Sequence, residues 1–99
     1  MAYSASKRVV ITGLGVVAPN GIGKDAFWSS LLEGRSGIAP ITLFDASQHP
    51  CRIAGEVKNF NLRDIAKTSI YTRRLSRQDG FALAAALMAI EDAGLDGAD

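Results

Sequence analysis

Two residues of the types found at nucleophilic sites lie close together in the sequence. His49 and Cys51, on either side of Pro50, are the only histidine and the only cysteine of the chain. A cysteine nucleophile needs a base that converges on it and a third group that orients that base. No orienting group is evident here, so we interpret His49 as an ordinary loop residue and Cys51 as a small, half-buried side chain. One residue of each type also cannot form a Cys/His zinc site, and we predict no metal site.

A glycine motif at residues 13–18, Gly-Leu-Gly-Val-Val-Ala, fits the G-x-G-x-x-G/A pattern of dinucleotide-binding turns. That pattern requires a helix that begins at about Leu14. Pro19, Asn20 and Gly21 would occupy its second turn, where proline costs about 3 kcal/mol and glycine about 1 kcal/mol. A tight loop is therefore the better interpretation, and a titration with NAD would test the alternative.

The charged residues form two opposite blocks. Between positions 63 and 77, five basic residues stand against one acid: Arg63, Lys67, Arg73, Arg74 and Arg77 against Asp64. Four acids follow at the end of the sequence: Glu91, Asp92, Asp96 and Asp99. A helix dipole favours the reverse order, so helix stability does not explain this placement. Either the basic block is a solvated face with local ion pairs, or it docks an anionic partner.

The overall composition is that of a globular protein, with 47% hydrophobic residues, 21% charged residues and a formal net charge of +1. Such a balance does not point to nucleic acid or a membrane as a partner. The longest apolar run, residues 81–90, is far shorter than the roughly 20 residues that a spanning helix needs. The N-terminal residues lack the apolar stretch of a signal peptide, so we expect a cytoplasmic protein.

Periodicity and breaker residues assign the elements that position these groups. The assignments are a buried parallel strand at residues 8–13, a loop with a tight turn at 14–23, a helix at Lys24–Glu33 ended by Gly34, an irregular stretch at 35–50, a strand at 52–57, a single helical turn within 62–70 and a helix at 76–93. This order of strands and helices is typical of an α/β fold.

The last predicted helix is the strongest element. Ser76 and Asp79 have the spacing of a capping box, and Gly94 is expected to be its left-handed stop. Residues 81–90 are apolar on every face, which is typical of a helix enclosed on all sides. Two strands and one short helix cannot enclose it. We therefore expect the chain either to oligomerise through this helix or to be the first part of a longer protein.

Several sequence blocks, taken together, resemble the opening of the β-ketoacyl-acyl carrier protein synthases. The blocks are RVVITGLGVVAPNGIG at residues 8–23, FW at 27–28, LLEGRSGI at 31–38, FD at 44–45, AGEV at 54–57 and FN at 60–61. These synthases are the condensing enzymes of fatty acid and polyketide synthesis and have the thiolase-like fold. The resemblance covers nearly all of this chain but only the first quarter or so of a family member.

The resemblance implies an α/β fold class, specifically the N-terminal part of the thiolase-like α/β/α/β/α fold. Residues 1–99 would then be an incomplete N-terminal segment of the synthase N-terminal domain, with no second domain. The parent enzyme would take an acyl chain onto a cysteine, decarboxylate malonyl-ACP and join the two by a carbon–carbon bond. The alternative is a non-catalytic carrier-protein-docking or chain-length-factor-like partner subunit.

Synthases of this kind use a nucleophilic cysteine and two histidines, or a close variant. One cysteine and one histidine cannot supply that set, so the resemblance implies no catalytic residue in this chain, which would be inactive alone. It implies instead that Arg73, Arg74 and Arg77 bind the acyl carrier protein, as basic residues at matching positions do in bacterial members. It also implies a homodimer or a paralogous heterodimer. We expect no cofactor.

Overall fold

The computed structural model describes residues 5–66 and 74–95, and every structural statement below concerns those residues. Its elements, in chain order, are a 3₁₀ helix at Ala5–Lys7, β1 at Val17–Ala18, β2 at Gly21–Ile22, α1 at Lys24–Glu33, β3 at Ile38–Pro40, β4 at Ile53–Gly55, a 3₁₀ helix at Leu62–Asp64 and α2 at Arg77–Asp92. The mixture of helices and strands agrees with the predicted α/β class.

The predicted loop with a tight turn is confirmed, and its turn closes a small hairpin. β1 pairs with β2 in antiparallel register, with Val17 opposite Ile22 and Ala18 opposite Gly21. Pro19 and Asn20 form the two-residue connection. Proline presets its backbone for a turn, which explains why the chain reverses here and does not begin a helix.

The predicted buried strand at residues 8–13 is wrong for the described structure. Val9, Val10 and Ile11 are exposed by 94%, 71% and 82%, and no described residue pairs with them in a sheet. A β-branched run favours the extended backbone, but a strand exists only where a neighbour completes its hydrogen bonds. Within the described part of the chain, this run therefore forms no strand.

The second predicted strand, at residues 52–57, is confirmed in its centre as β4. Its partner is β3, which pairs antiparallel with Ile38 opposite Gly55 and Pro40 opposite Ile53. Residues 35–50 were expected to be irregular, and β3 corrects that prediction for three of them. Pro40 masked the signal because proline lacks a ladder donor, and here it stands at the end of a strand, where that loss is tolerated.

Both helices have the termini that the sequence predicts. Gly34 and Gly94, which follow α1 and α2, have left-handed φ angles of 69° and 73°. The N–H of Leu95 donates to the carbonyl of Ile90 at 3.1 Å, so the chain folds back onto α2. At the other end of α2, Ser76 and Asp79 form the predicted capping box.

The glycines of the motif at residues 13–18 lie against α2. A Cβ added to Gly13 or Gly15 would overlap the backbone carbonyl oxygen of Ala89 or Ala85, respectively. Only glycine allows the backbone to approach a helix so closely, because glycine has no Cβ. The glycines of the motif therefore form a packing surface for α2 in this structure, and the last two residues of the motif are β1, the first strand of the hairpin.

Asp92, at the end of α2, links this segment to α1. Its Oδ2 accepts a hydrogen bond of 3.0 Å from the N–H of Leu14, and its Oδ1 pairs with the Nζ of Lys24 at the start of α1. The hydrogen bond to Asp92 raises the pKa of Lys24. Conversely, the Lys24 side chain and the Leu14 N–H hold the pKa of Asp92 below its ordinary value.

Glu56, the residue after β4, binds the segment that leaves β3. Its Oε1 accepts from the N–H and the hydroxyl of Thr42, both at 2.9 Å, and its Oε2 accepts from the N–H of Leu43 at 2.9 Å. The Nζ of Lys58 also donates to Oε1, at 3.1 Å. Burial alone would raise the pKa of this carboxyl, but the donors together lower it to about 2. The ionised carboxylate therefore stabilises the fold.

The described residues enclose little apolar surface. Their buried apolar residues are three alanines, Ala46, Ala66 and Ala84. On α2, Leu83 and Ile90 are exposed, so this apolar helix is not enclosed within the described part. The Cα radius of gyration is 17.3 Å, whereas a compact chain of this length has about 13 Å. The apolar faces of the elements are thus available for further packing.

Candidate functional site

Those basic residues of the block that the structure describes lie at or near the first turn of α2. We call Arg63, Arg74 and Arg77 the basic surface; all three are exposed. Arg63 lies in the 3₁₀ helix Leu62–Asp64, which packs against α2, and Arg77 is the first residue of α2. Arg73, which the sequence analysis assigns to carrier-protein binding, lies outside the described residues.

Arg77 is held in place by two contacts within the chain. Its Nη2 donates a hydrogen bond of 2.8 Å to the carbonyl oxygen of Val57, and its Cζ lies 4.8 Å from the centroid of the Phe81 ring. The Phe81 ring in turn meets Phe60 edge to face, with centroids 4.9 Å apart. These contacts attach the segment after β4 to the first turn of α2.

Arg74 differs from Arg77, although only three residues separate them. It is exposed, and within residues 5–66 and 74–95 its guanidinium has no hydrogen-bond acceptor, carboxylate or aromatic ring as a partner. Its full set of five N–H donors is therefore available to an external anion.

An apolar groove of about 230 Å³ lies beside the first turn of α2. Its lining includes Phe60, Leu62 and Leu75 from the segments that lead to α2, together with Arg77 and Gly80 from the helix itself. Apolar walls next to cationic side chains are the combination expected for a protein partner that presents acids around an apolar residue.

Two backbone N–H groups at the start of α2 have side-chain partners inside the chain. The N–H of Asp79 donates to the Ser76 hydroxyl at 3.1 Å, and the N–H of Ser76 donates to the Asp79 carboxylate at 3.4 Å. The carboxylate of Asp79 is therefore a cap, and it places one negative charge in the same turn as Arg77. Attraction of an anion to this surface depends on side-chain charge and the helix dipole.

The structure does not bring His49 and Cys51 together into a catalytic pair. The His49 ring contacts Phe44 edge to face at 5.6 Å, whereas the Cys51 Sγ lies 3.5 Å from the carbonyl oxygen of Ile53. His49 is exposed, as expected of a loop residue, but Cys51 is also exposed, which corrects the prediction of a half-buried thiol.

Two kinds of feature are absent from residues 5–66 and 74–95. Among these residues, no cluster of three or more His, Cys, Asp or Glu side chains could hold a metal ion. None of the helices in that part of the chain combines the length and apolar character that a membrane crossing requires.

Sequence reasoning missed the two phenylalanines that support Arg77. Arg77 and Phe81 are four residues apart on a helix, a spacing that places the two side chains on one face, so this contact was detectable. The contact of Phe60 with Phe81 and the hydrogen bond to Val57 join residues about twenty positions apart, and no local pattern signals them.

Comparison with known proteins identifies the family. The family model described as "Beta-ketoacyl synthase, N-terminal domain" matches residues 6–99. The 3-oxoacyl-[acyl-carrier-protein] synthase 2 of Synechocystis sp. is 45% identical over 95 residues, which are 96% of this chain and 23% of that protein. The granaticin polyketide putative beta-ketoacyl synthase 2 of Streptomyces violaceoruber is 41% identical over an alignment of 101 residues. That alignment also covers 96% of this chain and 23% of the relative.

A solved structure shows the same fold. The ishigamide ketosynthase/chain length factor superposes with a TM-score of 0.78 at 37% identity, over 87% of this chain and 21% of that one. This agreement confirms the predicted fold class, the N-terminal part of the thiolase-like fold. The chain spans about a quarter of the length of the curated relatives it matches. By its sequence and its fold, this chain belongs to the β-ketoacyl synthase family, matching its N-terminal domain.

Proposed function

We propose that this chain is the N-terminal segment of a β-ketoacyl-ACP synthase, with residues 1–99 forming an incomplete part of the synthase N-terminal domain. The observation that carries the proposal is the match of the family's N-terminal domain to residues 6–99. The names of the relatives, which include fatty-acid-type and polyketide-type synthases, support both pathways. The parent joins an acyl thioester to malonyl-ACP by decarboxylative carbon–carbon bond formation.

We assign no catalytic residue for that reaction to this chain. A nucleophilic cysteine is activated where a helix N-terminus or a cationic neighbour favours its thiolate. Cys51 stands in an exposed loop and contacts only a backbone carbonyl, and His49 contacts a phenylalanine ring. We therefore propose that the 99-residue chain alone is inactive and that it supplies scaffold and a docking surface to the parent.

The proposed partner of the basic surface is the acyl carrier protein. Several relatives are named for acting on acyl-carrier-protein substrates, the Arg74 guanidinium has no partner among the described residues, and Arg77 lines an apolar groove. An acidic protein would approach this surface faster and in a preferred orientation because opposite charges steer association. Arg73 belongs to the same proposal on sequence grounds alone.

A second candidate is supported by the names of other relatives. The solved structure is titled a ketosynthase/chain length factor, and the tetracenomycin polyketide synthase ketoacyl synthase beta subunit is 44% identical over 96 residues. A chain-length-factor-like subunit would keep the docking surface without the nucleophile. A homodimer or a paralogous heterodimer therefore remains part of the proposal, and the exposed Leu83 and Ile90 of α2 supply apolar surface for further packing. A cytoplasmic location stays a prediction from the sequence.

The test of this proposal compares the activity of two expressed proteins. One is the 99-residue chain, and the other is the product of the same reading frame extended past Asp99. Each is incubated with malonyl-ACP and an acyl-ACP, and decarboxylation and condensation product are measured. We expect no activity from the chain and activity from the extended product. Cys51→Ser is the matched control and should leave the extended product fully active.

Three results would count against this proposal. Condensation by the 99-residue chain, or loss of activity in the extended Cys51→Ser protein, would contradict the assignment of no catalytic residue here. An extended product that lacks an activated cysteine but stimulates a separate synthase would favour the chain-length-factor-like alternative over the enzyme.

A further inference from the structure

The arginines of the basic surface do not have equivalent surroundings. Arg77 is engaged on two sides, by the hydrogen bond from Nη2 to the Val57 carbonyl at 2.8 Å and by the Phe81 ring 4.8 Å from its Cζ. Arg74 has no such partner within the described ranges. For Arg77 to turn towards an incoming anion, it would have to give up contacts that Arg74 does not have.

The two contacts of Arg77 need a guanidinium in particular. A planar group can lie over an aromatic ring and donate in its own plane at the same time, whereas an ammonium is a point charge that does not combine these geometries. The Phe81 ring beneath Arg77 has a second contact, because Phe60 meets it edge to face at 4.9 Å. The three side chains form a continuous series of contacts that we call the Arg77 clamp, comprising Arg77, Phe81 and Phe60.

The clamp joins two parts of the chain that share no strand pairing. Val57 and Phe60 follow β4, while Arg77 and Phe81 form the first turns of α2. The same turn is also supported by its local cap, Ser76 and Asp79, and by the 3₁₀ helix Leu62–Asp64, which packs against α2. The clamp adds the hydrogen bond and ring contacts that tie Arg77 itself to the segment after β4, and so contributes to the orientation of the α2 N-terminus and of Arg74 just before the cap.

We propose that Arg77 is a positioning residue that fixes the start of α2 through the clamp, and that Arg74, not Arg77, presents the charge that meets an acidic partner. The part of this inference that concerns the acidic partner rests on the proposed carrier-protein docking. It assigns different roles to arginines that sequence alone treats alike. It also predicts that a positive charge at position 77 does not fix the start of α2 unless it is carried by a guanidinium group.

The test compares charge-conserving variants, Arg77→Lys and Arg74→Lys, with two readouts. The first is amide hydrogen exchange at Asp79 and Gly80, whose N–H groups donate to the Ser76 hydroxyl and the Ser76 carbonyl. The second is the Kd for an acyl carrier protein at fixed salt concentration. Gln78→Ala, an exposed position in the same turn, is the control for local helix effects.

We expect Arg77→Lys to speed exchange at both amides and to weaken binding, each by about tenfold, because the clamp is lost while the charge remains. Gln78→Ala should stay within about twofold of the wild-type chain in both readouts, and Arg74→Lys should leave the exchange rates at Asp79 and Gly80 within about twofold.

Wild-type exchange rates and wild-type affinity in Arg77→Lys would overturn the inference, since a charge alone would then suffice. If the wild-type chain binds no carrier protein, the proposed docking fails, and the exchange rates still decide the clamp. Faster exchange in Arg77→Lys would support it, and unchanged rates would overturn it.

Discussion

The backbone of Gly15 lies directly against the carbonyl oxygen of Ala85, in the middle of α2. A Cβ on Gly15 would overlap that oxygen and would also lie 2.8 Å from the backbone nitrogen of Ala89. No rotamer change relieves such an overlap, because both partners are backbone atoms. The spacing of the two glycines, at 13 and 15, thus matches the path of α2 and has a structural explanation without a bound phosphate.

Gly15→Ala should destabilise the chain because α2 must move away to admit the methyl group. Overpacking against a fixed neighbour costs about 1–3 kcal/mol in free energy of unfolding. Urea unfolding followed by far-UV circular dichroism measures the change.

Gly80→Ala is the matched control for Gly15→Ala. Its Cβ would lie 3.5 Å from Phe60, an ordinary contact, and alanine favours the helix over glycine by about 0.5–1 kcal/mol. We expect this variant to be more stable than wild type. Equal effects of the two substitutions would contradict the packing role assigned to Gly15.

Ser76→Ala should lower stability by about 1 kcal/mol because it removes the side-chain acceptor for the N–H of Asp79. The loss should be concentrated in α2 and is measured as a lower helix content together with a lower urea midpoint. Ser29→Ala, at an exposed position inside α1, has no capping role and should change neither quantity. A Ser29→Ala effect as large as that of Ser76→Ala would argue against the capping box.

The lowered pKa of Glu56 predicts how the free energy of unfolding of the chain depends on pH in acid. Its pKa falls from an ordinary value of 4.5 to about 2 in the folded chain, so the unfolded chain binds the proton more tightly. The stability that Glu56 contributes is therefore fully present above pH 4.5 and is lost as the pH falls from 4.5 through 2.

Glu56→Gln should be less stable than wild type at pH 7, and this difference should shrink between pH 4.5 and 2, the range set by the two pKa values. Urea midpoints measured across this range provide the test. The control is Glu33→Gln, an exposed carboxylate beside Arg35, which should change the unfolding free energy by less than about 0.5 kcal/mol. A Glu56→Gln difference that is constant with pH would contradict the role of the ionised carboxylate.

Features with local causes could be predicted from the sequence. The extents of α1 and α2 and their glycine stops follow from apolar spacing and from residues such as Ser76 and Gly34, whose signals lie within one turn of the element. The arginines near the start of α2 are visible in the sequence as a local excess of positive charge, and their assignment to carrier-protein binding comes from the family resemblance.

Features that depend on distant partners could not be predicted in this way. Residues 8–13 have the composition of a strand, but the hydrogen-bonding neighbour that makes a strand is absent from the described part of the chain. Glu56 gains its role from Thr42 and Leu43, 14 and 13 positions away, and Arg77 from Val57, 20 positions away. Such contacts are properties of the tertiary fold.

The central claim, that the start of α2 docks a carrier protein, is tested most directly by titrating an acyl carrier protein against the wild-type chain and against Arg74→Glu. Arg35→Glu is the matched control, since it makes the same charge reversal after α1, outside the basic surface. We predict saturable binding that weakens at high salt, falls at least about tenfold in Arg74→Glu and stays within about twofold in Arg35→Glu. Binding that is indifferent to Arg74→Glu, or equally reduced by both reversals, would contradict the account.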